Sequence, residues 1–481
     1  MTKNSNKTTI YVPRKDILEF ADVVAFEVDA CDFPSHTLRY SNQEWLDRIG
    51  LGELTADERI AHFGKFTPLK DNLKSPQALA YHGHQFGAYN PQIGDGRGFL
   101  FAQLEDDRGR LLDLGTKGSG RTPFSRDGDG RLTLKGGVRE VLATQYLEAQ
   151  GVYTSKSLNL IETGEQLYRG DEPSPTRSSV LVRLSHSHIR FGTFQRLRVM
   201  ENYDGIEKLI RYCAQRYYPD INLDEPIADV TIAFFDQVSA VTANMVASWM
   251  AAGFVHGVMN TDNMVITGES FDYGPYRFLP YSDPDFVAAY FDQGGRYRFA
   301  NQPSVGLWNL QQLAGCLLKF ASEDKLVEVL NQYADYYKKS LHFHFHRRLG
   351  LKETNFDDDG VFVSDLLAWM TQSRVGWEQF FFDWFCADTG RIEQSPLGVH
   401  YKDSSFLNLR ERILSRTPHN QNRLEREYFQ KNSPTTLLVE DVETIWEDIA
   451  EKDNWRLFDD FINNTQEMKQ AYNDAPINIE I

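Results

Sequence analysis

A chain of 481 residues can bury a large core shared between two or three lobes. Its 41% hydrophobic and 25% charged residues argue against a disordered or fibrous class. The formal charge of −17 argues against a nucleic-acid binder, which needs a basic face for phosphate, but leaves room for a nucleotide held by a few local Arg and Lys.

The four cysteines, Cys31, Cys213, Cys316 and Cys386, form no CxxC pair. A disulfide framework or zinc ribbon is not expected, and a reducing compartment suits them. The opening MTKNSNKTTIYVPRKDI lacks the apolar stretch of a signal peptide, and no uninterrupted apolar run approaches a membrane span. A cytoplasmic protein without a membrane partner is expected.

Residues 1–79 mix short helical and loop signals, including the amphipathic QEWLDRIGL. From residue 80 the character changes. GDGRG (94–98) reads as a Gly-rich loop, followed by the strand FLFAQL, a turn in EDDRGR, and the strand LLDLGTKG ending at Lys117. RTPFSRDGDGRL (121–132) is a polar loop. GGVREVLATQYLEAQG (136–151) predicts a helix with Val138, Leu142 and Tyr146 along one side and Gly151 as terminator. SSVLVRLSHSHIRFG (178–192) alternates like a strand and closes the β-rich part. From about residue 225, Phe234, Val238, Val241, Met245 and Trp249 recur at helical spacing and Gly253 stops the helix. That helix runs into HGVMNTDNM (256–264). WNLQQLAGCLLKFA, KLVEVLNQYADYYKKSL and the remainder read as helical, with no internal repeat.

Singly these signals are weak, but their order is informative. Gly loop, strand Lys, helix Glu, His-x₆-Asn and Asp-Tyr-Gly succeed one another as in protein kinases, and no G-x-x-x-x-G-K-[ST] loop competes. Gly94, Gly96 and Gly98 lack a Cβ, so backbone N–H groups can approach phosphate oxygens. Lys117 offers a point charge, oriented by an ion pair with Glu140. Asn263 and Asp272 are hard oxygen ligands suited to Mg²⁺. His256 and Asn263 keep the kinase interval, yet Val258 stands where the kinase base belongs. Asp262, four residues on, can accept a hydroxyl proton from a different direction. Arg183 and Arg190, with Arg97 in the Gly loop, have no kinase counterpart and bring forked donors that match phosphate. The expected fold is α/β (α+β), a bilobal protein-kinase-like architecture. It comprises an N-terminal extension (1–79) packing on the core, a small β-rich N-lobe (80–200), a larger helical C-lobe (201–340) and a helical extension (341–481).

The stretches YHGHQFG (81–87), IGDGRG (93–98), GTKGSGRTPFSRDGDGR (115–131), VRE within GGVREVL, HSHIRFG (186–192), HGVMNTDNM, DYGPY (272–276), and GRYRFANQP (295–303) with WNLQQLA carry a resemblance across residues 80–315. The chain resembles the selenoprotein O family (SelO, also called YdiU), kinase-like protein adenylyltransferases. The resemblance implies ATP bound in an inverted orientation, with AMP moved to a Ser, Thr or Tyr hydroxyl of a protein and pyrophosphate released. It assigns ATP binding to Gly94, Gly96, Arg97, Lys117, Asp129, Gly130, Arg183, Arg190 and Asp272. It makes Asp262 the proton acceptor, gives Mg²⁺ (or Mn²⁺) to Asn263 and Asp272, and pairs Glu140 with Lys117. An inactive ATP-binding scaffold and a γ-phosphoryl-transferring kinase are the alternatives.

Many members of the family carry a selenocysteine or cysteine almost at the C-terminus, whereas this chain ends AYNDAPINIEI. Redox control through such a residue is not expected here, and the part after about residue 340 matches the family loosely. HFHFH (342–346) is expected to be a packed or solvated helix rather than a zinc site. His82/His84 and His186/His188 are expected to organise loops. DDDG (357–360) and EDVETIWED (440–448) are expected at the solvated surface.

Overall fold

The computed structural model describes residues 9–170 and 172–473. Strands β1 (Val12–Arg14), β2 (Ala25–Glu27) and β3 (Thr37–Ser41) come first, then helices α1 (Gln43–Arg48) and α2 (Ala56–Phe63). Strands β4 (Gln77–Leu79), β5 (Gly83–Gln85), β6 (Ala88–Asn90), β7 (Leu100–Glu105), β8 (Leu111–Lys117) and β9 (Leu132–Thr133) follow, leading into α3 (Leu134–Ala149). Strands β10 (Lys156–Leu167) and β11 (Thr176–Ser185) complete a nine-stranded antiparallel sheet in the order β2-β4-β7-β8-β11-β10-β3, with β1 also on β7 and β9 on β11. The first 79 residues therefore supply both ends of that order, β2 and β3. The amphipathic stretch becomes α1, which buries Trp45 and Leu46 under the sheet.

The strand expected over 178–192 stops at Ser185. Beyond it the backbone N–H groups leave the ladder, that of His186 donating to Glu269 Oε2 (2.9 Å) and that of His188 to Asp113 Oδ2 (2.8 Å). The histidine pairs do organise loops. His82 Nδ1 meets the Tyr89 hydroxyl at 2.6 Å, and the His84 N–H donates to Thr261 Oγ1 at 2.7 Å.

Helices α4 (Phe191–Val199), α5 (Tyr203–Tyr217), α6 (Ile227–Ala252), α7 (Gln302–Leu317), α8 (Glu323–Leu349) and α9 (Phe356–Ser373) build most of the C-lobe. The helix α6 is long and apolar enough to cross a membrane by length and composition alone. Here it is the lobe's core helix: Phe234, Val238, Val241, Met245 and Trp249 are all buried, and apolar residues lie on every side of it. It ends at Gly253, whose φ of +62° is the left-handed cap that a Cβ would strain. The histidines of HFHFH lie buried along α8, His344 Nε2 meeting Asn244 Oδ1 at 3.0 Å.

The surface expectation for DDDG needs correction at Asp359. That carboxylate is 2% exposed, accepts from Arg416 Nη1 at 2.6 Å and lies 3.2 Å from His346 Nε2. Asn355 caps α9, so the three aspartates fall in its first turn, where the macrodipole favours anions, and the packed face claims the third. The fold is bilobal and kinase-like, a curled antiparallel N-lobe on a larger helical C-lobe.

Candidate active site

A cleft of about 760 Å³ is lined by Gly94, Gly96, Arg97, Lys117, Asp129, Gly130, Arg183, Arg190, Asp262, Asn263 and Asp272. Glu140 stands behind it on α3, where its carboxylate takes the Lys117 ammonium in a buried ion pair. Strand register explains part of this convergence. Leu181 pairs with Lys117 across β11 and β8, so Arg183, two residues further along, shares the face of the sheet that carries Lys117.

Asp272 is the focus of the cleft. Its Oδ1 accepts from Arg183 Nη1 (2.6 Å) and Lys117 Nζ (3.1 Å), and its Oδ2 from Arg190 Nη1 (3.2 Å). Burial alone would raise this carboxyl, but Arg183, Lys117 and Arg190 hold it well below the usual carboxylate range. Arg190 is fixed further by the Asp262 carbonyl (2.8 Å) and by Asp95 Oδ1 (3.3 Å), and its guanidinium lies over the rings of Tyr81 and Phe271. Three buried cations thus face three carboxylates, Asp272, Glu140 and Asp95.

Asp262 sits in a 3-10 turn, Thr261–Asn263, tied to the N-lobe through Thr261 and His84. Gln85 Nε2 is 3.5 Å from its Oδ2, while its Oδ1 is buried and has no hydrogen-bond partner among the described residues. Burial pushes this carboxyl up to about 6 against the pull of Arg190. A base near neutrality on the wall of the cleft suits removal of a hydroxyl proton. Val258 lines the cleft at the position of the kinase base, and its carbonyl accepts from Asn263 Nδ2 (3.0 Å). With the amide nitrogen committed, Oδ1 is the atom that Asn263 has left to offer.

At the rim the glycines serve close packing. A Cβ on Gly94 would lie 2.5 Å from the Phe124 ring, and one on Gly96 would lie 3.0 Å from the Phe124 carbonyl. Loop 121–131 therefore rests directly on the Gly loop, and Ser125 Oγ donates to the Gly96 carbonyl at 2.6 Å. Asp129 meets Arg169 at 2.8 Å. Among the described residues Arg97 and Arg126 have no carboxylate partner, so their charge is available to an anion.

The family model for protein adenylyltransferase SelO matches residues 11–466. The chain belongs to the SelO family. It is similar to the protein nucleotidyltransferase YdiU of Synechocystis sp., 43% identical over 457 residues that cover 91% of this chain and 94% of the relative. The YdiU protein of Trichormus variabilis is 42% identical over 455 residues, covering 92% of each chain. That of Vibrio cholerae is 38% identical over 368 residues, 74% of this chain and 72% of the relative. Membership of SelO makes this chain a protein nucleotidyltransferase with a kinase-like fold.

Several residues of this SelO site escaped sequence reasoning. Asp95 and Gln85 lie inside quoted stretches, GDGRG and YHGHQFG, but an acid between two glycines reads as a turn residue and a lone Gln carries no signal. Arg126 and Arg169 reach the cleft from a loop and from the end of a hairpin, where nothing local marks them. Tyr81 and Phe271 matter only because Arg190 lies over them.

Proposed function

We propose that this SelO protein moves AMP from ATP to a Ser, Thr or Tyr hydroxyl of a protein and releases pyrophosphate. The observation that carries the reading is the relocation of charge in the cleft: Val258 replaces the kinase base, the carboxylate of Asp262 lines the cleft four residues on, and Arg183 and Arg190 join Lys117 at Asp272. The Asp262 carboxylate takes the proton of the acceptor hydroxyl. The hydroxyl oxygen then forms a bond to the α-phosphorus as the bridging bond to the β-phosphate breaks. Lys117, Arg183, Arg190 and Arg97 neutralise the charge that grows on the departing pyrophosphate. Gly94, Gly96, Asp129 and Gly130 shape the nucleotide seat, and Glu140 holds Lys117 in place.

Asn263 and Asp272 would hold Mg²⁺ or Mn²⁺. Two hard oxygen donors fit such an ion, and among the described residues no group of three His, Cys, Asp or Glu forms a cage, so nucleotide phosphates would complete its shell. When bound, the ion supplies Lewis-acid polarisation of phosphoryl oxygens. The wide spacing of the four cysteines, with no CxxC pair, suits a cytoplasmic location.

The test compares transfer of label from α-labelled and γ-labelled ATP to proteins of a cell extract, with wild type beside Asp262→Ala. Transfer from the α-label alone, lost in the variant, is expected. Transfer from the γ-label alone would make the chain an ordinary kinase and overturn the assignment of the arginines.

A further inference from the structure

The surface beside Asp262 carries a feature that the nucleotide chemistry does not use. Strands β5 and β6 are joined by the two-residue turn Phe86-Gly87, with φ of +51° and +84°. A two-residue hairpin with both central residues in the left-handed region is a type I′ turn, whose favoured pair is Asn-Gly. Phenylalanine in that place is strained; one side of its ring packs 4.9 Å from that of the buried Tyr297, yet the residue stays 39% exposed, so turn chemistry does not account for it and burial does so only in part.

Phe86 does not stand alone. Its ring lies 5.8 Å from that of Phe291, which lies 5.1 Å from that of Tyr290. Phe291 is 48% exposed and Tyr290 86% exposed. The three rings form a continuous aromatic ledge, and none of them lines the nucleotide cleft. The ledge is joined to the catalytic turn through one side chain. Asn260 Oδ1 accepts both the Phe86 N–H (3.1 Å) and the Tyr297 hydroxyl (2.7 Å), while Asp292 takes the N–H groups of Arg296 and Tyr297 (3.0 and 2.7 Å). Asn260 is two residues before Asp262. On the other side Gln85, the neighbour of Phe86, reaches the Asp262 carboxylate.

We infer that this ledge is the docking surface for the acceptor protein and selects an apolar side chain close to the hydroxyl that receives AMP. The inference rests on the adenylyltransferase reading, which brings a protein hydroxyl to Asp262. The Gln85 side chain places the ledge on the order of 10 Å from the carboxylate, the span of about three residues of extended chain. An aromatic or aliphatic residue within about three positions of the acceptor Ser, Thr or Tyr therefore meets the rings as its neighbour meets the base. A second copy of this chain is a poorer occupant, because a permanent partner seated there would stand between the acceptor and Asp262.

The test uses short synthetic peptides with a central Ser, Thr or Tyr, each flanking position fixed in turn as Phe, Leu, Ala, Glu or Lys, and α-labelled ATP. Wild type is compared with Phe86→Asn, which gives the hairpin its favoured turn and so preserves folding, and with Tyr290→Ser/Phe291→Ser, which alters exposed rings. Wild type is expected to favour Phe- and Leu-flanked peptides. In both variants KM for those peptides rises roughly tenfold, the value expected for losing an aromatic anchor. KM for ATP and transfer to Ala-flanked peptides stay as in wild type. An unchanged flank preference in the variants, or a wild-type preference for charged flanks, overturns the ledge while leaving the adenylyltransferase reading intact. Altered sedimentation of the variants with unaltered transfer overturns it in favour of a contact between copies. Absence of α-label transfer by wild type to every peptide and to extract proteins overturns the reading and the ledge together.

Discussion

Removing Arg190 should destabilise the fold chiefly by stranding Asp95, and this can be separated from its effect on catalysis. Arg190 is 3% exposed and is the only cation within ion-pair distance of Asp95 among the described residues. At 3.3 Å and an effective dielectric of about 20 the attraction is about 5 kcal/mol, part of which is spent desolvating both groups. Arg190→Met should therefore cost about 3–5 kcal/mol, the range for breaking a buried pair from one side. Asp95→Asn should cost less, about 1–3 kcal/mol, because the amide oxygen can still accept the Leu79 N–H now bonded at 3.1 Å. In the double variant no carboxylate is stranded at this place, and Asp272 keeps Arg183 and Lys117. It should be about 2–3 kcal/mol more stable than the sum of the single variants. The assay is equilibrium urea unfolding followed by tryptophan fluorescence and far-UV circular dichroism, whose coincidence licenses one free energy. Burial already raises Asp95, and loss of Arg190 raises it further, so the penalty of Arg190→Met should grow with pH. α-Label transfer should stay lost in the double variant, because the donor to Asp272 and to the Asp262 carbonyl is still missing. A coupling below about 0.5 kcal/mol would refute the reasoning and make Asp95 a bystander.

Glu140→Gln removes the charge that orients Lys117, and kcat/KM for α-label transfer should fall by about 100-fold, the usual cost of a misplaced catalytic group; unchanged transfer would mean that Asp272 alone positions Lys117. Glu269 is buried beside Lys156 and Arg110, and burial raises it from 4.5 to about 7. Its folded value lies above its unfolded one, so its stabilisation is fully present below pH 4.5 and is lost as pH rises through 7, about 3 kcal/mol by pH 8. Glu269→Gln, which keeps an acceptor for the His186 N–H, should flatten the dependence of urea-unfolding free energy on pH and stabilise the protein most at pH 8; parallel curves for the two proteins would contradict this. Gly98→Ala places a Cβ 1.9 Å from the Thr116 carbonyl oxygen and should cost at least about 3 kcal/mol, whereas Gly274→Ala meets no heavy atom within 4 Å and should stay within about 0.5 kcal/mol by the same unfolding measurement.

The parts of this molecule legible in its sequence were those written in local periodicity or in motif order. The core helix α6 was legible because apolar residues recur along it and Gly253 ends it. The positions of Lys117, Glu140, Asp262, Asn263 and Asp272 were legible because each sits in a stretch with a recognisable role. That Arg183 and Lys117 share a face was not legible, since it depends on the register of β8 against β11 rather than on spacing within either strand. Strand β10 was not read from the sequence at all, and its pairing is itself irregular, with register shifts between Ser157 and Asn159 and again between Glu162 and Gln166. Asp359 read as surface because its buried partner, Arg416, lies far along the chain.

The end of the chain shows the same limit most clearly. Residues after about 340 carry no motif of the nucleotide site and read only as helical and charged. Yet the terminal helix Arg456–Tyr472 packs on α3, with Phe461 against Tyr146, while Phe458 meets Tyr40 of β3. The Tyr146 hydroxyl donates to the Thr435 carbonyl at 3.0 Å, and Lys469 lies 3.3 Å from Glu148 on the last turns of α3. Helix α3 is therefore held between the sheet and the C-terminal segment, and it carries Glu140. In a protein kinase the placement of this helix decides whether the Lys–Glu pair forms. Here that placement draws on ring packing, hydrogen bonds and an ion pair from residues as far as 324 positions away in sequence, which is why a segment without chemical motifs helps to seat the helix that carries Glu140, the partner of Lys117.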